Sequence, residues 1–381
     1  MSLYIHIPFC ISKCAYCDFF SRAFTSVSDD YVQALCNEID YRLRNEKSPE
    51  TIYIGGGTPS LLSKKQLKKI VNHIPFDSVK EFTVEVNPDD VTLDLLQSFE
   101  NCGVTRISCG IQSLNDNALK FCNRRSNRAQ VLNALKLLAQ NWKGRLSLDL
   151  ISGLPMETEE SFFEGLGIVC NSGAEHISLY ALTVEEETPL GKKIFSDEIE
   201  YDYDAADRLW LLGRDFLEAH GYNQYEVSNF CKDEKISLHN MNYWNHKSYL
   251  GCGSGGTGTL YRDDGTAFRW TNTSNLKEYV NFWINSESYD PESIPQEVEN
   301  LDSETEKFEF FMMGLRTLKG ISKNQFEKTF NCSFPENIKM QFEKWNREEL
   351  SEIHTEGDDV FYTLGKKGIL FLNRFLSELE I

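Results

Sequence analysis

Cys10, Cys14 and Cys17 fall within eight residues, in the spacing C-x3-C-x2-C. Three thiolates on one short loop can each reach a separate iron of a four-iron cubane, and the fourth iron is then left without a protein ligand. A structural zinc ion is the alternative, but a closed zinc site wants four ligands, and this segment has no fourth Cys or His at zinc-finger spacing. His6 is near but lies within a predicted strand. Unliganded thiols are the third reading. The other eight cysteines, Cys36, Cys102, Cys109, Cys122, Cys170, Cys231, Cys252 and Cys332, stand alone in mostly apolar surroundings and read as small buried hydrophobes. An odd total of 11 scattered over a long chain is not a disulfide framework.

Three further groups of residues could meet a ligand. Gly55-Gly56-Gly57-Thr58-Pro59-Ser60 follows a predicted strand and precedes a helix, so its backbone N–H and C=O groups are open to close approach. It lacks the G-x4-G-K-[ST] of a phosphate loop, and taken alone it could be only a turn. Glu85, in Glu85-Val86-Asn87-Pro88, ends another strand, where a carboxylate can accept hydrogen bonds from hydroxyls or an amine. His239-Asn240-Met241-Asn242-Tyr243-Trp244 places a candidate axial ligand beside two aromatics able to cover a porphyrin face, although a lone His is more often structural.

The elements that must position these residues are legible as an alternation. Short β-rich runs at Leu3–Ile7, Thr51–Ile54, Glu81–Val86, Arg106–Ile111, Leu146–Ile151 and His176–Leu182 each end at a turn or loop signal. Between them, Asp29 or Asp30 opens a helix in which Tyr31, Leu35, Ile39 and Leu43 repeat every four residues, and Ser63 precedes Lys64–His73. Thr92 caps a segment ending at Gly103, and Ser126 one running to about Trp142. Six strand-then-helix units predict a parallel sheet with right-handed crossovers, whose chemistry gathers at the carboxyl ends of the strands. That is where Pro8–Cys17, Gly55–Ser60, Glu85–Pro88, Gln112 and Asp149–Pro155 fall. After a helix at about Tyr203–His220, closed by Gly221, comes the Gly- and Asn-rich stretch His239–Gly258. Ser286–Ser303, with Pro291, Pro295 and several acids, reads as a linker, and Glu304–Ile381 as a small helical module with a short hairpin around Gly357–Tyr362. The expected divisions are thus 1–258, 259–303 and 304–381.

Tyr4-Ile5-His6-Ile7-Pro8-Phe9-Cys10, continuing through Cys14, Cys17, Asp18 and Phe19, resembles the radical SAM enzymes related to oxygen-independent coproporphyrinogen III oxidase, and more narrowly their HemW branch, the haem chaperones. The resemblance covers essentially the whole chain, with the cysteine, glycine and carboxylate motifs in the same order. It implies a partial parallel (β/α)6 radical SAM barrel with a lateral opening, and a small, mainly helical, HemN-like C-terminal domain. It implies a [4Fe-4S] cluster on Cys10, Cys14 and Cys17, with S-adenosylmethionine chelating the open iron and its amino group held by the backbone at Gly56 and Gly57 and by Thr58. Glu85, Gln112, Arg124 and Asp149 match the family's ligand contacts, Arg124 neutralising the carboxylate, and Tyr4 matches a position near the cofactor. Arg125 could serve in place of Arg124, and an Arg124–Asp149 ion pair is the structural alternative.

HNxxYW is characteristic of the HemW branch and implies haem binding, with His239 as axial ligand, Tyr243 and Trp244 as apolar cover, and an apo-haemoprotein of the respiratory chain as acceptor. The segment lies outside the six βα units and is expected to build its site beside the barrel. Thr257 stands where relatives usually have His. Two features favour the chaperone over a porphyrinogen-decarboxylating oxidase: the oxidases carry a fourth cysteine where this chain has Phe19, and they carry an N-terminal extension, whereas this chain reaches its first strand at Leu3. Radical chemistry on an unrelated substrate is a third reading.

Composition bounds the partners. With 41% hydrophobic and 12% aromatic residues the chain can bury a large core. Its 39 basic and 58 acidic side chains leave a net charge of −19, which repels phosphate backbones and anionic lipid. A nucleic-acid partner is therefore not expected, and membrane contact at most transient. No stretch approaches about 20 apolar residues and no charged-then-apolar leader opens the chain, so a cytoplasmic protein is expected.

Overall fold

The structure, a computed structural model, describes residues 1–44, 46–286 and 289–379. Six strands, Ser2–Ile7, Thr51–Gly56, Glu81–Val86, Arg106–Gln112, Arg145–Ser152 and His176–Ala181, pair in parallel in chain order. Each matches an expected run to within two residues at either end. On one side of the sheet, Leu3, Ile5, Ile52, Ile54, Phe82, Val84, Ile107, Cys109, Leu148, Leu150, Ile177 and Leu179 are buried. They share one core with Leu35, Ile39, Ile70, Phe99, Val131 and Leu166 of the surrounding helices. At about 1.5–3 kcal/mol per fully buried aliphatic side chain, this outer layer supplies the main drive for folding. The alternate positions are polar: Tyr4, His6, Tyr53, Thr83, Glu85, Arg106, Ser108, Ser147, Asp149, His176 and Ser178. A barrel of this type ordinarily fills its interior with branched apolar side chains. A polar interior needs partners instead, from the protein or from a ligand.

Ser28, Ser63 and Thr92 cap the helices Asp29–Leu43, Lys64–Val71 and Leu93–Asn101 through their side-chain oxygens. The next cap is Asn127 rather than Ser126. Asn127 and Gln130 form a reciprocal capping box for Arg128–Asn141, while the Ser126 hydroxyl donates to Asp89 at 2.8 Å.

The sheet is wider than six strands. Tyr249–Cys252 returns to pair in parallel with the outer edge of Ser2–Ile7, and Thr257–Tyr261, Ala267–Asn272 and Gln296–Leu301 continue it antiparallel. At the opposite edge Asn229–Cys231 and Asn223–Gln224 follow the sixth strand antiparallel. Among the described residues the two ends of the sheet do not pair, which leaves the barrel open. The polar stretch Ser286–Ser303 is therefore not a simple linker: Gln296–Leu301 is an edge strand, and its acids are tolerated because they face solvent. Before it, helix Leu276–Asn285 buries Tyr279 and Trp283, and the Trp283 carbonyl accepts from Asn37 of the first helix at 2.7 Å.

The Gly- and Asn-rich stretch begins with a short helix, Leu238–Trp244, capped by Ser237. Farther on, helices Ser303–Gly314, Lys323–Phe330, Glu336–Arg347 and Leu372–Ser377 enclose a second core that includes Phe311, Phe326, Phe342, Trp345 and Phe375. The expected hairpin is present as Glu352–Glu356 and Asp359–Thr363. Among the described residues no helix is long and apolar enough to cross a membrane.

Candidate functional site

The loops at the carboxyl ends of the strands surround a cavity of about 510 Å³. The first strand delivers Cys10 to it, and the loop beyond carries Cys14 and Cys17, drawn together by a Cys17 N–H to Cys14 C=O bond of 3.2 Å. The loop is tied to the end of helix Asp116–Phe121 by Ala15 N–H donating to the Cys122 carbonyl at 2.9 Å. Among the described residues no three His, Cys, Asp or Glu side chains converge as on a single ion. Three thiols lining one cavity can each take a separate iron of a cluster, and among the described residues no fourth Cys or His joins them in the lining to close a zinc site.

Beside the thiols the second strand ends in glycines that the packing requires. Gly56 has φ +111°, and a Cβ there would come within 2.6 Å of the His6 ring. A Cβ on Gly57 would come within 2.6 Å of the Phe9 carbonyl oxygen and 3.0 Å of Cys10 Sγ. The bare backbone thus runs directly alongside a cysteine sulfur, with Thr58 Oγ1 3.5 Å from it. The cradle fits a small amino-acid headgroup next to a cluster.

Glu85 accepts from Tyr53 Oη at 2.7 Å and from the Gly56 N–H at 3.1 Å. Burial pushes its pKa up to about 7, and these two donors only partly offset that. Asp149 accepts from Ser108 at 2.9 Å, Ser178 at 2.8 Å and Ser147 at 3.2 Å, and burial raises it too. No ion pair joins it to Arg124 among the described residues. Gln112, at a bulge in the fourth strand, holds φ +67° and lines the cavity.

The two adjacent arginines separate cleanly. Arg124 donates to the Gly110 carbonyl at 2.6 Å, to Asn87 Oδ1 at 3.0 Å and to Cys14 Sγ at 3.4 Å. Arg125 is held by Asp89 and Asp90. Of the two, Arg124 is the guanidinium that meets the cysteine loop.

Tyr4 and His239 lie outside the lining. Tyr4 sits deeper along the first strand, its hydroxyl 2.9 Å from His6 Nδ1 and its ring beside Tyr53. His239 requires a correction. The sequence places it beside the barrel as a free ligand, whereas the structure has it 1% exposed at the amino ends of the strands. Nδ1 lies 2.8 Å from Thr51 Oγ1, Nε2 lies 2.8 Å from Tyr243 Oη, and the backbone N–H donates to Glu81 at 3.0 Å. Burial lowers its pKa to about 3, so the ring is neutral and both nitrogens are engaged. Glu81 accepts the first N–H groups of helix Leu238–Trp244 and so draws that helix across the floor of the barrel. From this motif it is Asn240 that reaches the cavity. Trp244 packs under the Arg316 guanidinium, 5.5 Å from the ring centre. Thr257 is also elsewhere, on the widened part of the sheet, its hydroxyl 2.9 Å from that of Thr271.

Sequence reasoning missed Tyr53, Asn87, Arg106, Ser108, Ser178, Tyr180 and Asn240, which also line the cavity. Most of them carried a signal. Parallel strands covered on both faces are ordinarily apolar throughout, so polar residues at alternate positions of all six parallel strands mark an interior built to meet a ligand.

Residues 4–165 match the radical SAM superfamily. The chain is 32% identical over 390 residues to the heme chaperone HemW of Buchnera aphidicola, covering 99% of this chain and 97% of the relative. It is 33% identical over 393 residues to the heme chaperone HemW of Bacillus subtilis, covering 99% and 100%. With the heme chaperone HemW of Escherichia coli it shares 34% over 335 residues, covering 86% and 85%. The fold matches that of coproporphyrinogen III oxidase (HemN) from Escherichia coli with a TM-score of 0.78 over 99% of this chain and 89% of that one, at 20% identity.

Proposed function

The chain belongs to the HemW-type radical SAM proteins, and from that premise we propose that it binds haem and hands it to an apo-haemoprotein of the respiratory chain. In this reading Cys10, Cys14 and Cys17 hold a [4Fe-4S] cluster, whose open iron chelates the amino-acid end of S-adenosylmethionine. Gly56, Gly57 and Thr58 receive the amino group, Glu85 accepts from ribose hydroxyls or the amine, and Gln112 and Asp149 bound the rest of the ligand. Arg124 neutralises the carboxylate while another of its N–H groups stays on Cys14, so one guanidinium orients both partners.

The observation that carries the reading is Phe19. It is 72% exposed at the rim of the cysteine cavity, at the place where the oxidases carry a fourth cysteine. It offers an apolar face to a flat ring and no thiol to a reaction. With His239 committed to the barrel floor, haem docks at this rim and is not ligated by that imidazole. Incubation with coproporphyrinogen III, reductant and S-adenosylmethionine should yield no appreciable vinyl product, whereas added haem should give a Soret band that Phe19→Asp weakens. Robust protoporphyrinogen formation without haem binding would overturn the reading in favour of the oxidase.

A further inference from the structure

Arg106 opens the fourth strand and turns inward to line the cavity, where it is 2% exposed. Among the described residues it forms no ion pair. Its contacts are long: Nη1 lies 3.5 Å from Thr83 Oγ1 and Nη2 lies 3.4 Å from His176 Nδ1, an atom already 2.8 Å from the Ser147 hydroxyl. Among the described residues its buried Nε has no partner, as is also true of Arg124 and Arg145, but those two have close acceptors on their other nitrogens. The carboxylates nearby are committed to other donors. Glu81 takes Arg145 at 3.1 Å and the helix N–H groups, Glu85 takes Tyr53 and Gly56, and Asp149 takes three serines.

Arg145, paired with Arg106 in the strand register, shows what the fold does with a structural guanidinium: it supplies a carboxylate. Arg106 has none. A guanidinium cannot shed its proton, and with no ion pair in contact and only long hydrogen bonds its fork of donors is left for a ligand carboxylate to meet. The opening through which that anion arrives is the cysteine cavity, since Arg106 shares its lining with Ser108, Asn240 and Tyr53.

We propose that Arg106 is the receptor for a ligand carboxylate at the floor of the cavity, and that the carboxylate is a propionate of the haem. The proposal rests on the haem-binding reading above. Planar and rich in paired donors, the guanidinium suits a carboxylate better than any other side chain could. Haem enters edge first, its propionate on Arg106 and its ring towards Phe19. The other carboxylate at hand, that of S-adenosylmethionine, falls to Arg124 on the cysteine side.

The test titrates the full-length, cluster-reconstituted protein with haem, with haem dimethyl ester and with S-adenosylmethionine, for the wild type, Arg106→Gln and Arg106→Lys. Iron and sulfide content and thermal melting establish that each variant is folded and loaded. The wild type should prefer haem to its diester about tenfold or more, the worth of a charge-assisted hydrogen bond. In Arg106→Gln the ratio should fall to near one while S-adenosylmethionine affinity stays unchanged, and Arg106→Lys should retain part of the preference. A wild type that binds haem and diester equally, or an Arg106→Gln that keeps the preference, would overturn the proposal and leave the chaperone reading standing. A weakened S-adenosylmethionine affinity with an unaltered haem ratio would assign Arg106 to the cofactor and likewise overturn it. If the wild type bound neither porphyrin, the chaperone reading itself would fall.

Discussion

The two ends of the barrel are built from the same kinds of residue and treat them in opposite ways. At the amino end, Thr51, Glu81, Arg145, His239 and Tyr243 are tied to one another and to the backbone of a helix that seals the floor. At the carboxyl end, thiols, a bare glycine backbone, Arg124, Glu85 and, from below, Arg106 face a common space. A histidine flanked by aromatics looks like a ligand wherever it stands in a sequence. What distinguishes the site from the seal is that its polar groups border an open cavity, whereas those of the seal are enclosed. Access to a shared cavity, more than residue type, marks the candidate site.

The comparison breaks most decisively at the cysteines. Cys10→Ala, Cys14→Ala and Cys17→Ala should each abolish the cluster in anaerobically reconstituted protein, because thiolates are its only protein ligands. Full iron and sulfide in any of the three would place the centre elsewhere. His239→Ala should act on the seal alone. It strands the Tyr243 hydroxyl while Thr51 keeps its bond to Ser2, costing about 1–3 kcal/mol of stability by denaturant titration, with the haem Soret band unmoved. A displaced Soret band at undiminished stability would exchange the roles of the two ends.

Glu85→Gln should keep the cluster and weaken S-adenosylmethionine binding roughly tenfold, as expected for one hydrogen bond to a charged acceptor. The same carboxyl has a pH signature. Its pKa rises from 4.5 to about 7 on folding, so the folded state holds the proton more tightly. Its contribution to stability is therefore full below about pH 4.5 and is lost as pH climbs through 7, and Glu85→Gln should flatten that part of the melting profile. Glu157 and Glu226, also lifted to about 7 chiefly by burial, add to the wild-type slope in the same sense and leave a residue of it in the variant. The smallest effect should come from Thr257→His. Outside both ends of the barrel, it should leave haem affinity unchanged and cost no more than about 1 kcal/mol of stability. Tighter haem binding there would extend the site to the widened sheet.

Sequence reading succeeded where a pattern is local. The six strands announce themselves by β-rich runs bounded by turns, and the cysteine loop by spacing alone. It failed where the deciding partner is remote. His239 is fixed by Thr51 and Glu81, far back in the chain, and nothing in HNxxYW records them. Gln296–Leu301 lacks apolar alternation because an edge strand with a solvated face does not need it. Ser126 and Asn127 are both good caps, and only Asp89, which claims the serine, selects between them. Arg106 was passed over because a charge at the start of a strand reads as surface until its neighbours are known.

The first strand, Ser2–Ile7, lies between Thr51–Gly56 and Tyr249–Cys252. During synthesis, then, one flank of the earliest strand is covered quickly and the other waits for roughly 200 further residues. At ~5–20 residues per second the wait is on the order of 10–40 s. Throughout it a nascent polypeptide carries an unpaired, largely apolar border, the kind of border that recruits strands from other chains. Ribosome-bound chains halted before Tyr249 should accordingly be captured by general folding factors, and chains extended past Cys252 should be released.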